Sequence, residues 1–354
     1  MFLSANIASA DSNNYYNGTN VTNGNGTDQC QSASSPCAYT SHGTFTVGSG
    51  SNTLNFTNSQ LNLGSNYTLT AKGVTINVTA SSTTNAIDVN QKYVTLNLIN
   101  SYLKFEDNAT AMTQGNFHFL RLQNPSARLT ATFNGGIGTE TIKNQQYNNV
   151  AFYGLMYIYK TNNNQNTIKF ENGANMVGWL RNSASAGKVL NNVTFKGGGN
   201  LIAIDKNHYT TKWDSDNAKG KAITLEITSA TDTQQSSQVT INFGESGKVE
   251  TVSDTDKTTL LDKDGVVVGD ISGNKVTSET TVSSGKTLIT NAIRGDIYVA
   301  GYKGSAGKDS DANLTLNFYN NGLIDGAIST SSVANIKIYF ANKGTIRSNL
   351  VFGM

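Results

Sequence analysis

The sequence predicts an all-β chain wound as a right-handed parallel β-helix (a β-solenoid) with rungs of roughly 22–25 residues. Three observations predict it. A short phrase recurs along the chain at near-regular spacing. Each copy reads as an alternating strand ending in Phe, a Gly/Asn turn and a second short strand, without helical periodicity. The composition is that of strands, with Thr, Val, Ile, Tyr and Phe frequent and Leu, Glu, Lys and Arg thin.

The phrase is plainest near the end, in "LTLNFYNNGLIDGAI" around Phe318 and "IKIYFANKGTIRSNL" around Phe340. Earlier copies are "TLNFTNSQLNLG" around Phe56, "LTATFNGGIGTE" around Phe133 and "TIKFENGANMVG" around Phe170. Two more are "NVTFKGGGNLIAI" around Phe195 and "VTINFGESGKVE" around Phe243, with a weaker one at Phe105. Phe318 and Phe340 are 22 residues apart, and Phe170 and Phe195 are 25 apart. The 48 residues from Phe195 to Phe243 and the 75 from Phe243 to Phe318 read as two and three such units. Some 12 rungs result, stacked about 4.8 Å apart. The 37 residues from Phe133 to Phe170 need an insertion.

One rung cannot bury its own inward residues, so rungs must stack. Stacking places each Phe on its counterpart. The repeat core is therefore Phe56, Phe133, Phe170, Phe195, Phe243, Phe318 and Phe340, with Asn321 and Gly322 as a corner. Asn at such corners can form an amide ladder. Pro is scarce, at 2 residues, because central strands must donate their N–H groups.

The chain has 354 residues and a net charge of +2, and only 14% of it is charged. That argues against a nucleic-acid partner, which calls for clustered Lys and Arg. No stretch approaches the ~20 apolar residues of a membrane helix. Residues 1–10 contain Ala8-Ser9-Ala10 before Asp11, the pattern of a signal-peptidase site, and read as a signal-peptide remnant. Residues 11–50 are rich in Asn, Ser, Thr and Gly and read as a loop-rich capping segment. Cys30 and Cys37 lie there and read as a local disulfide if the protein is exported; the alternative is two free thiols. The β-helix takes residues 51–354, with loop excursions near 205–221 and 229–238.

The densest aromatic run is "VAFYGLMYIYK", residues 150–160. Alternation puts Val150, Phe152, Met156 and Ile158 on the core side. Tyr153, Tyr157 and Tyr159 fall on the other, a candidate exposed binding face unless a loop covers it.

Catalytic patterns are thin. His42, His118 and His208 are isolated in the sequence. Ser246 in "FGESGKVE" lacks the second Gly of a nucleophile elbow. The Asp-x-Asp pairs at 214/216, 254/256, 262/264 and 309/311 fall in polar loops and read as solvated carboxylates. No cofactor or metal is expected, and the chain reads as a binding protein rather than an enzyme.

The repeated "F-x-N-x-G-x-I" rungs, the Asn/Thr/Gly bias and the "ASA-D" start resemble the passenger domains of autotransporters. "NNGLIDGAI" and "NKGTIRSNL" look most like Asn-rich passengers related to vacuolating cytotoxins and surface adhesins. The resemblance covers about residues 51–354 and carries no catalytic residue. It implies export through the periplasm to the bacterial surface or beyond. It implies action by binding, as an adhesin, self-association factor or toxin-like protein. The partner would be a host-cell surface protein or glycan, or another copy. A C-terminal outer-membrane β-barrel, expected in that family, is missing from this sequence. A β-helix polysaccharide lyase or hydrolase, or a structural stalk, are the alternatives.

Overall fold

The computed structural model is all-β among its described residues, with 28 strands joined in one continuous sheet. The described residues are the strands from Asn13 to Phe352 and some of the turns joining them. Residues 1–12, 30–36, 80–86, 107–119, 123–127, 160–164, 205–219, 228–235, 254–258, 262–266, 272–276 and 280–285, with some shorter intervals, lie outside the description. Cys30 is among these, so the disulfide reading lies outside the described residues; Cys37 is placed only by its backbone, paired with Leu61.

Strand pairing is almost wholly parallel and falls into three columns. The first stacks Leu129–Asn134, Gln165–Glu171, Val189–Phe195, Ser236–Phe243, Asp311–Phe318 and Ala334–Phe340 in register. It continues on the other side through Val94–Ile99 and the first halves of Tyr67–Thr79 and Gly43–Thr57. The second column includes Tyr102–Glu106, the middle of Gln145–Tyr159 and the start of Asn175–Ala184. It goes on through Leu201–Ile202, Thr290–Arg294, Asn321–Asp325 and Gly344–Ile346. The third holds the ends of Gln145–Tyr159 and Asn175–Ala184, then Lys221–Ile227, Asp296–Ala300, Ile328–Thr330 and Leu350–Phe352. The chain visits first, second and third column in turn, then returns one layer on.

The Phe positions sort by column. Phe133, Phe170, Phe195, Phe243 and Phe318 are fully buried in the first. Their rings stack with centroids 4.5–5.1 Å apart, and Phe340 caps the stack at 5.0 Å, half-buried. Burying each such ring contributes about 2–3 kcal/mol. Phe56 is different. Its backbone pairs with Val78, which pairs with Phe105, in the second column. Beneath Phe133 stand Leu98 and Ala71 instead. Every corner uses the same Gly/Asn turn chemistry, so a Phe before a turn does not identify its column.

The long spacings are also corrected. Phe195 stacks directly on Phe243, and Phe243 on Phe318. The 48- and 75-residue intervals are thus single passes with excursions. Among the described residues the first column accordingly has nine layers, fewer than the some 12 expected. The longer pass makes its own antiparallel sheet from Val249–Ser253, Thr277–Glu279 and Lys286–Leu288.

Four buried amides line the corner between the first and second columns. They are Asn175, Asn200, Asn291 and Asn320. Asn200 N donates to Asn175 Oδ1 at 2.9 Å, and Ala292 N donates to Asn200 Oδ1 at 2.7 Å. Asn320 Nδ2 donates to Asn291 Oδ1 at 3.1 Å. The ladder residue in the late copy is therefore Asn320, not Asn321. Gly322 lies in the second column, where a Cβ would meet the rings of Phe340 and Phe318 at 2.5 and 2.6 Å.

Candidate binding face

Strand alternation that points Phe, Leu and Ile inward must point the residues between them outward. In the first column those residues form two ranks. One rank runs Thr95, Thr130, Thr167, Asn192, Thr240, Thr315 and Lys337. The other runs Asn97, Thr132, Lys169, Thr194, Asn242, Asn317 and Tyr339 by the same pairings. All fourteen are half-buried or exposed. The backbone register carries the ranks on to Thr68 and Thr70, then Thr44 and Thr46.

The inner stack sets the geometry of this face. The planes of successive Phe rings from Phe133 to Phe318 lie within 6–12° of parallel. The residue-for-residue register of the strands keeps the outer ranks in line. Neighbouring amides then bond along the rank: Asn317 Nδ2 donates to Asn242 Oδ1 at 2.9 Å. In the flanking rank, Asn335 Nδ2 donates to Asn313 Oδ1 at 3.1 Å. Each bond uses one donor and one acceptor of a side chain with more of both. The remainder face solvent.

The aromatic run behaves differently from the expected exposed face. Tyr153 and Tyr157 are only 7% and 8% exposed. Tyr153 is covered by a hairpin of Gly138–Ile142 against the start of Gln145–Tyr159. The hairpin turns at Lys143 and Asn144, both with positive φ, 50° and 63°. It packs Ile142 and Tyr147 with Tyr102, Tyr153, Val177 and Ile202 in a second apolar cluster. Tyr102 Oη donates to Glu140, whose carboxylate also meets Lys104 Nζ at 3.1 Å. Tyr157 lies under the Arg181 guanidinium, 5.0 Å from its ring centroid, and Arg181 pairs with Glu226. A Tyr face left bare would be a large apolar patch. Tyr159 is placed by its backbone only.

Among the titratable groups, Glu250 stands out. It is buried where the long excursion leaves the first corner. Its Oε2 accepts from Gly197 N at 3.0 Å and Asn320 Nδ2 at 2.8 Å, which joins it to the Asn ladder. Burial raises its pKa above the ordinary 4.5 against those two bonds. Glu245, five residues earlier, is shifted down by hydrogen bonds from Lys248 and Lys196.

The remaining candidates do not converge. Ser246 lies in an exposed turn. Asp309 accepts from Gly304 N at 3.1 Å within its own loop. The three histidines and the other Asp-x-Asp pairs lie outside the described residues. Among the described residues no group of three His, Cys, Asp or Glu is placed to hold a metal. A hollow of about 90 Å³ opens between the hairpin turn and Arg294 and Asp325. That is well below the ~300–1,000 Å³ of small-molecule sites.

The sequence points to outward faces rich in Asn and Thr without singling out the residues of these ranks, though their signal is there. The residues one and three before each Phe are Thr and Thr in "TATF", Lys and Thr in "TIKF", Thr and Asn in "NVTF". "TINF" and "TLNF" repeat Asn and Thr. The ladder residue Glu250 had no such signal, because its partners Gly197 and Asn320 are distant in sequence. No known protein family, curated protein or solved structure matches the chain.

Proposed function

We propose that the chain is a right-handed parallel β-helix and works by binding, through the outward Thr/Asn face of its first column. On this reading it is a secreted or surface-displayed passenger of the autotransporter type, acting as an adhesin, self-association factor or toxin-like protein. Its partner is a host-cell surface protein or glycan, or another copy of itself.

One observation carries the reading. Seven successive layers present the same pair of outward positions, filled mainly by Thr and Asn and left uncovered by other described residues. A solvated, repeated array suits extended contact made of many weak hydrogen bonds. Each contributes about 0.5–1.5 kcal/mol, and the sum depends on simultaneous engagement. Passes of 22, 24 and 25 residues between register partners support the repeat length in this reading.

The test is a binding screen of the purified chain against cell surfaces, a glycan panel and itself. It is run beside the variant Thr194→Glu/Thr240→Glu/Thr315→Glu. The expected result is binding by the parent that the triple variant loses while its melting and circular dichroism stay unchanged. Binding equal in parent and variant, or none to any surface, overturns the reading.

A further inference from the structure

The face has charge of one sign. Its two ranks and the flanking rank of Arg128, Gln238, Asn313 and Asn335 contain Arg128, Lys169 and Lys337, all exposed. No described position in the three ranks is Asp or Glu. Among the described residues neither Lys169 nor Lys337 takes part in an ion pair. The nearest carboxylates sit at the edges. Glu171 ends its strand two residues beyond Lys169, Glu245 lies at the turn, held by Lys196 at 3.2 Å and Lys248 at 2.9 Å, and Asp311 begins its strand at the opposite edge.

The cations stand apart: Arg128 lies one layer from Lys169 but at the opposite end of its strand, and Lys337 is distant along the stacking axis. Lys169 and Lys337 are four layers apart, roughly 19 Å at a layer spacing of about 4.8 Å. Between them the two main ranks offer only Thr and Asn, with Gln238 and Asn313 in the flanking rank. A compact anion meets one cation at a time on such a surface. A duplex nucleic acid, with a charge every ~1.7 Å, is poorly matched to so few. A linear polymer with spaced acidic groups and many hydroxyls is matched along its whole length.

Resting on the binding reading above, we propose that this face takes a linear acidic polysaccharide laid along the layers. Its carboxylate or sulfate groups meet Arg128, Lys169 and Lys337, and its hydroxyls meet the Thr and Asn ranks. A pyranose with its linking oxygen advances about 5 Å, given bonds of ~1.5 Å. That is close to one sugar per layer. Because the charge contacts are exposed, binding weakens with salt over a Debye length of about 10 Å at 0.1 M.

The test measures the full chain against heparin, hyaluronan, dextran and duplex DNA by calorimetry at low and moderate salt. Heparin or hyaluronan is expected to bind at least tenfold more tightly than dextran, and more weakly as salt rises. Lys169→Gln/Lys337→Gln is expected to lose about tenfold, and Thr240→Ala/Thr315→Ala a smaller factor. Lys143→Gln, on the hairpin and off the face, is expected to leave binding unchanged. Dextran binding as tightly as heparin overturns the charge argument and leaves the binding face standing. DNA binding as tightly as heparin shows a general polyanion effect and overturns the polysaccharide. No binding to any of the four overturns this proposal alone if cell or self binding is still lost in the Thr→Glu triple variant. It overturns both if that variant changes nothing.

Discussion

Between the inward residues of the first column stand Thr, Asn and Lys; in the second column the same outward places hold Tyr153, Val177 and Ile202. The first set faces water. The second lies under a hairpin that leaves the sheet at Gly138 and returns at Val150. Farther along the second column, the outward places pass to Arg294 and Asp325, paired at 3.0 Å. Alternation decides which residues point out, and their chemistry decides whether a cover is needed. A binding surface is to be sought where outward residues satisfy themselves with water, and the Tyr-rich run is part of a core.

Four substitutions bear on that contrast. Phe243→Ala removes the middle of the inner stack, between Phe195 and Phe318. A loss of about 3–5 kcal/mol is expected, read as a drop in denaturation midpoint. A midpoint within error of the parent breaks the claim that the stack supports the face. Tyr153→Ala, although outward, is expected to behave as a core change and cost about 3 kcal/mol, with faster amide exchange in the hairpin. Neutral behaviour would put Tyr153 back with the exposed residues.

Glu250→Gln probes the corner beneath the bare face. Burial raises the Glu250 pKa, so its contribution is fully present below the unfolded value near 4.5 and is lost as pH rises through the folded value. The parent is therefore expected to lose stability from about pH 4.5 upward, and the variant to lose less, by on the order of 1 kcal/mol at neutral pH. Parallel melting curves for the two against pH would contradict it. Thr240→Ala is the smallest, within about 0.5 kcal/mol, because a solvated surface side chain is removed. A larger loss in its denaturation midpoint would mean that the Thr rank holds the layers together.

Much of the architecture was legible in the sequence because inward residues obey a strict period. "LTLNF" and "IKIYF" announce strands, and their 22-residue offset matches the observed register. What escaped has physical reasons. Phe56 was placed in the wrong column because all corners draw on the same turn residues. The 48- and 75-residue passes mimicked multiples of the repeat, and a pass with an excursion has no periodic signature of its own. The Tyr153 cover comes from "GTETIKNQQYNN", a hairpin with its own alternation that pairs antiparallel beside the parallel columns. The Thr and Asn ranks were visible beside every Phe, but polar residues in a Thr- and Asn-rich chain do not stand out as a pattern.

The excursion between Phe243 and Phe318 has one more consequence. Layers on either side of it stay in register residue for residue, from Ser236–Asp311 to Phe243–Phe318. Loop-closure entropy grows only with the logarithm of length. Widening a pass from 22 to 75 residues costs on the order of 1 kcal/mol, less than one buried Phe returns. The corner after Gly244 is therefore a permissive port. Foreign segments of very different length, spliced between Ser253 and Lys286, should leave Glu250 and the layers above and below unmoved, and a new module can be carried there without redesigning the layers.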